Sequence, residues 1–402
     1  MNAPILYLAL STLINSAGTT LFVSALALSL FSMDSSAVKA SGVYIAQFLP
    51  AIFFLPLAVK ICDSYAVRTG LISVEVVSAL ITVLMGLCIQ ADWLTPLYLI
   101  LAVRGFIELT TKTFRSIGVK IFADPVSLDK ANNLVMGGSF IGQALGALAG
   151  FFLVSHISLM HIAIVNGFTY FLSALCCLKL ALVNVKRESR SFVFHSGWAG
   201  LAEIRQNKDL MVYFMYFSLV VIVFQSYNQV ARTWIPLAWL DLGLGKGIIG
   251  EVIGCMGIIA GLLIVNFFLS RSKQPKRLAF LSIFITCLFV STPFVTVSPV
   301  VSLTLYFVYM VLFEIGLMVS MNGLLAVCPQ HKVASVMGLF YGLSFGGLTI
   351  SGLSMALAAD HYRLPTVSLV LSVVALIVLF GISYLSIFSN TKVETVGSEF
   401  EK

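Results

Sequence analysis

Four charged side chains, Arg104, Glu108, Lys112 and Arg115, interrupt the otherwise apolar run 96–119. At about 100° per residue they fall within about 80° of one helix face. Arg104 and Glu108 stand at i,i+4 with opposite sign, a spacing that lets them partly neutralise each other. A second run, 300–325, holds one acid, Glu314. A carboxyl group held away from water can load and release protons near ambient pH, so Glu108 and Glu314 are candidate proton carriers. Glu314 has an alternative reading, a fixed interhelical ion pair with Lys112 or Arg115. Lys112 and Arg115 could also snorkel to the membrane interface. If Arg104, Lys112, Arg115 and Arg232 line a cavity, they favour a ligand bearing carboxylates or phosphates. If the acids consume those cations, the cavity suits neutral amphiphiles.

Other polar side chains share faces in the same way. Gln225, Asn228, Gln229 and Arg232 lie within about 100° of arc. Asn15 and Thr19 continue a spacing of four from Ser11, and Asn322 follows Glu314 approximately. Glu75 and Glu251 lie near the ends of their runs and read as interfacial. The seven cysteines form no CxxC pair, and His156 and His161 read as solvated side chains. There is no HExxH and no Gly-rich phosphate loop, so neither an enzyme, a metal site nor a cofactor is expected.

The elements holding these residues follow from composition. The 402 residues are 59 % hydrophobic and only 10 % charged, against about 25 % in soluble domains. This excludes a disordered chain and disfavours a soluble globule. A spanning helix needs about 20 apolar residues. Twelve such spans are predicted: 5–31, 40–60, 70–91, 96–119, 131–154, 157–183, 210–235, 247–269, 278–298, 300–325, 332–358 and 364–389. Runs this long exceed the strands of a membrane barrel, so the fold class is an all-α polytopic membrane protein. The first run is too long for a signal peptide and lacks a basic leader.

With residue 1 inside, 18 Lys and Arg fall on the cytoplasmic side. Four, Lys39, Arg232, Lys246 and Arg363, fall outside. That bias predicts both termini in the cytoplasm, and an odd number of spans would scramble it. The basic stretch 186–208 divides the chain into two pseudo-symmetric six-helix bundles, 1–185 and 209–392, with a cytoplasmic tail at 393–402. Trp198 to Lys208 could form a short surface helix. Val135-Met136-Gly137 recurs as Val336-Met337-Gly338, with Gly146 and Gly347 nine residues after their glycines. The offset is 201 residues, half the chain. Span 5 carries Gly138, Gly142, Gly146 and Gly150 at spacing four, which serves either close helix packing or a smooth sliding face. Polar stripes concentrate on spans 1, 4, 7 and 10, as one central polar cavity would require.

These features resemble the major facilitator superfamily across nearly the whole chain. In that family spans 1, 4, 7 and 10 line the cavity. Its span 2–3 motif, G-x3-D-R/K-x-G-R/K-R/K, is matched at Asp63 and Arg68, while Val59, Ser64 and Ala66 depart from it. The resemblance implies that Asp63 helps latch the cytoplasmic side at a helix N-terminus. Arg104 falls where many proton-coupled members carry an arginine. Arg115-Ser116, Asp129-Lys130-Ala131-Asn132 and the span 5 glycines look like the siderophore and macrolide exporter branch. Gln143 or Ala147 stands where that branch has Gly-Pro. The resemblance implies a proton-coupled exporter of a small organic compound, siderophore or drug-like, working by alternating access. A lysophospholipid flippase and an uptake transporter are the alternatives. The expected partners are a small-molecule substrate, protons and membrane lipid, with no nucleic acid. The expected form is a monomer in a bacterial inner membrane.

Overall fold

Helices account for nearly all of the residues described by the computed structural model. It describes residues 3–34, 46–48, 52–124, 127–153, 156–182, 199–242, 249–269 and 274–397. Among these residues there is no strand. In chain order the helices are α1 (Ala3–Asp34), α2 (Leu55–Ser64), α3 (Val67–Gln90), α4 (Leu94–Phe122), α5 (Leu128–Leu153) and α6 (Leu159–Cys177). Then come the short α7 (Ala199–Gln206), α8 (Lys208–Leu219), α9 (Ser226–Trp234), α10 (Ile249–Ile264), α11 (Pro275–Phe289), α12 (Pro299–Val327), α13 (Val333–His361) and α14 (Leu364–Gly397). Ten helices among the described residues are long and apolar enough to cross a membrane. Span 2 is described at 46–48 and as α2. Span 5 is the 26-residue α5. The all-α polytopic reading therefore holds.

Local chemistry explains several helix ends. Pro275 and Pro299 open α11 and α12, where a missing N–H removes no helical bond. Asn207 caps α8 by accepting from the amides of Asp209 and Leu210, each at 3.1 Å. Span 7 differs from the uniform helix expected. Two π turns, Val220–Gln225 and Ile235–Trp239, flank α9. Pro236 lies in the second and lacks the N–H a regular ladder needs. In the first, the Phe224 carbonyl accepts a 3.0 Å bond from the Tyr309 hydroxyl. The last helix runs to Gly397, past the expected bundle end at 392.

The outward faces are those of a protein in lipid. Leu80, Leu84 and Leu87 on α3, Phe168 and Phe171 on α6, and Val370, Val373 and Ile377 on α14 are all exposed. Exposed apolar surface on that scale would promote association in water.

The chain forms two units. One is Met1–Leu201 with Pro329–Thr349, and the other is Ala202–Cys328 with Ile350–Lys402. Residues 329–349 thus group with the first half of the chain. The reason lies in α13, where side chains of residues 52–59 fill the space a Cβ would take. Val59 lies against Gly338, Leu55 against Gly342 and Ile52 against Gly346.

In the first unit, α5 lies backbone to backbone on α1. A Cβ on Gly138, Gly142 or Gly146 would sit 2.6, 2.3 or 2.2 Å from the carbonyl oxygens of Ala9, Leu13 and Ala17. Gly150 continues the line against Leu21. Such approach is how helices associate where lipid removes the hydrophobic drive. Phe22, Leu26, Met85, Leu101 and Ile162 form the apolar core beside it. In the second unit α10 packs on α12 by the same device, and a Cβ on Gly257 would meet Met310 at 2.5 Å.

Candidate functional site

In the first unit, α4 presents its four charges to α1, α3 and α6, and each side chain finds a definite setting. The expected Arg104–Glu108 pair does not form. Glu108 instead pairs with Lys112, Oε1 to Nζ at 3.3 Å, and its Oε2 accepts a 2.6 Å bond from Gln47 Nε2. Both choices were open at i±4. The acid N-terminal to the base is the better orientation on a helix, and that order selects Lys112. The Lys112 ammonium also lies 4.6 Å from the centre of the Phe345 ring.

Arg104 is 3 % exposed. Its Nη2 donates to the Tyr170 hydroxyl at 3.1 Å, and its guanidinium carbon lies 5.6 Å from the Phe22 ring centre. The Tyr170 hydroxyl in turn meets Thr19 Oγ1 at 2.8 Å. Nη1 of Arg104 has no hydrogen-bond partner among the described residues.

Two further expectations are corrected on α3 and α4. Glu75 is not interfacial. It is fully buried, because α3 begins at Val67, three residues before the predicted start, and Glu75 faces into the unit. Arg115 does not snorkel to the interface. Its Nη2 donates to Glu75 Oε1 at 2.9 Å, and Asn15 Nδ2 donates to Glu75 Oε2 at 2.8 Å. Beside the pair, Ser11 and Ser173 hydroxyls meet at 2.8 Å. At the next residue of α4, Ser116 meets the Tyr341 hydroxyl of α13 at 3.1 Å.

These groups enclose a polar cavity. Asn15 and Thr19 of α1 line it with Arg104, Glu108, Lys112 and Arg115 of α4. Ser78, Thr111 and Tyr170 complete the wall. About 30 Å³ is open to the centres of water molecules, which is room for about two of them.

The second unit distributes its polar residues differently. Glu314 on α12 is fully buried, and neither carboxyl oxygen has a hydrogen-bond partner among the described residues. Neither Lys112 nor Arg115 pairs with it. They are held by Glu108 and Glu75. Glu314 lies under Gly261 of α10, whose added Cβ would fall 2.7 Å from the Glu314 Cβ. Asn228 is buried and accepts a 2.5 Å bond from the Tyr306 hydroxyl. Tyr306, Tyr309 and Tyr227 form an aromatic cluster, with the rings of Tyr227 and Tyr309 edge to face at 5.5 Å. Arg232 Nη1 meets Glu251 Oε1 at 2.8 Å, and both side chains are partly exposed. Gln225 and Gln229 are half-buried, and Asn322 is buried. Asp63 falls in the last turn of α2, and Arg68 in the first turn of α3.

The sequence model of the Major Facilitator Superfamily matches residues 8–352. The chain belongs to this family. It is a multi-pass membrane transporter and not an enzyme. Over 230 residues it is 28 % identical to the "Putative bacilysin exporter BacE" of Bacillus subtilis (strain 168). That match covers 56 % of this chain and spans only 57 % of that protein's length. Among solved structures, the Escherichia coli fucose:proton symporter FucP superposes with a TM-score of 0.72 at 13 % identity. It covers 95 % of this chain and 98 % of that one. A bacterial homologue of the iron transporter ferroportin gives 0.71 at 14 % identity, covering 95 % and 99 %. The human organic anion transporter MFSD10 gives 0.72 at 13 % identity, covering 94 % and 99 %. At such identities these three likenesses speak to the fold.

For a facilitator-family chain, the first unit departs from a simple 1-4-7-10 reading of its polar wall. Spans 3 and 6 add Ser78 and Tyr170 to the wall, Glu75 of span 3 holds Arg115 from behind it, and Gln47 of span 2 holds Glu108. Glu75 was visible in the sequence as an acid inside an apolar run. Nothing in the sequence distinguishes Tyr170 from the other twelve tyrosines, or Gln47 as a partner for Glu108.

Proposed function

We propose that this transporter is a proton-coupled exporter of a small organic compound, with the two sequence halves acting as bundles that alternate access to a central cavity. The observation that carries the reading is the Glu108–Lys112 pair at the wall of the first unit's cavity. Glu108 is 21 % exposed and touches one cation and one amide. Protonation of Glu108 would cancel its charge and free Lys112, so that proton binding changes the charge of the cavity wall. Glu314 is the second proton site. An ionised carboxylate without a partner is costly to bury, and taking up a proton removes that cost. Occupied and empty proton states at these two acids would then favour different conformations. Asp63 and Arg68 belong to the cytoplasmic latch in this reading. Asn15, Thr19, Gln225, Asn228, Gln229 and Asn322 belong to the substrate path.

Export is favoured over uptake by the similarity to a protein named as an exporter. The distribution of Lys and Arg supports an orientation with both termini cytoplasmic, and the similarity to a Bacillus protein supports a bacterial inner membrane. The substrate is one that a deletion strain fails to release. Everted vesicles with an imposed pH gradient, supplied with compounds retained by that strain, test the coupling. The expected result is gradient-driven accumulation that is lost in Glu108→Gln and Glu314→Gln. Unchanged gradient-driven transport in both variants removes these acids from the proton role, and accumulation only in right-side-out vesicles reverses the direction.

A further inference from the structure

The charges around the first unit's cavity do not cancel, and the remainder has a location. Arg115 has Glu75 at 2.9 Å, and Lys112 has Glu108 at 3.3 Å. Arg104 has no carboxylate within 4.0 Å among the described residues. Its Nη2 is engaged by the neutral Tyr170 hydroxyl, and its Nη1 meets no acceptor. A buried guanidinium nitrogen without an acceptor is expensive, because the group's hydration has been given up with nothing in exchange. The cavity wall therefore holds one uncompensated positive charge, at a side chain 97 % removed from solvent, with hydrophobic Phe22 on one face.

The geometry points to Arg104 as the docking site for a single carboxylate of the transported compound. This deepens the exporter reading and rests on it. Three observations choose the ligand chemistry. One unpaired cation matches one negative charge, whereas a phosphate monoester brings about 1.5–2. The guanidinium edge presents donors in the plane that a carboxylate accepts. Room for about two waters is the room that the two carboxylate oxygens need. Tyr170 and Thr19 form a chain of hydroxyls behind the guanidinium and fix its orientation. The acidic partners of Lys112 and Arg115 repel a second carboxylate, so the site selects monoanions over dianions.

Equilibrium binding to the purified transporter in detergent, without any gradient, tests this separately from proton coupling. The probes are dansylglycine with one carboxylate, dansylamide with none and dansylglutamate with two, followed by dansyl fluorescence. The wild type is expected to bind dansylglycine about tenfold or more tightly than dansylamide. Dansylglutamate should bind no more tightly than dansylglycine. In Arg104→Gln the acid-over-amide preference should fall to about twofold or less, with dansylamide affinity kept as the sign of a folded site. Arg104→Lys, which keeps charge but not the planar fork, should fall between. Failure of dansylglycine to bind the wild type, equal affinity for acid and amide, or a preference retained in Arg104→Gln overturns the assignment. So does displacement of dansylglycine by lysophosphatidylcholine but not by hexanoate, which would make the ligand a lipid phosphodiester. Gradient-driven export without carboxylate preference defeats the docking site alone. Carboxylate preference without gradient-driven export defeats the exporter reading alone.

Discussion

Glu75 and Arg115 carry opposite charges into a setting that tolerates neither by itself. Removing one partner of such a pair strands the other, which costs about 3–5 kcal/mol in buried sites. Replacing both with apolar groups of similar size is far milder, because the desolvation cost of both charges disappears with them. We therefore expect Glu75→Gln to lower the thermal unfolding temperature in detergent markedly, and Glu75→Leu with Arg115→Met to recover most of the loss. An unfolding temperature unchanged in Glu75→Gln would show that Arg115 is satisfied without it. This pair also marks how far single residues are legible. The charges on α4 and their common face follow from spacing alone, and all four are where that spacing puts them. Their partners do not follow. Glu108 chose between two equally spaced bases, and Glu75 lay near a predicted helix end that the structure moved by three residues. Partner choice depends on which other helices supply Gln47, Asn15 and Tyr170, and linear spacing says nothing about that.

Among the elements, α5 is placed by side-chain size along most of its length. Ala9, Leu13, Ala17 and Leu21 of α1 recur at the same spacing of four as the α5 glycines, so the two stripes mesh along their length. Any Cβ at Gly146 must push the Ala17 carbonyl away from 2.2 Å, and overpacking of this kind costs about 1–3 kcal/mol. Gly146→Ala should therefore reduce the folded fraction recovered in mild detergent. Gly381→Ala should not, since nothing lies within 4 Å of its added methyl. There the loss of glycine's flexibility in a helix should stabilise by about 0.5–1 kcal/mol. Equal recovery of both variants would mean that α1 and α5 can separate at no cost. The stripe on α5 was evident in the sequence. Its partner was not, because Ala and Leu on α1 are unremarkable in an apolar helix. The π turns around α9 were also hidden. Pro236 announces a disturbance, but the turn at Val220–Gln225 contains no residue that breaks a helix.

At the scale of the whole molecule, charges inside the spans find partners or unusual burial, while those outside them orient the chain. Lys332 stands just before α13 and Arg363 just after it, separated by 29 helical residues. That length rises about 44 Å, enough to cross the apolar core of a bilayer. The orientation proposed from the excess of Lys and Arg on one side predicts Lys332 in the cytoplasm and Arg363 outside. Single cysteines at these positions read the assignment directly, in a background where Cys176 and Cys255, only partly buried, have been replaced by serine. A membrane-impermeant maleimide should label Arg363→Cys in intact cells, and Lys332→Cys only after permeabilisation. The remaining native cysteines are buried and should contribute little to either signal. The reverse pattern would place the basic side outside. It would then turn Asp63 and Arg68 to the external face and remove them from the cytoplasmic latch proposed above.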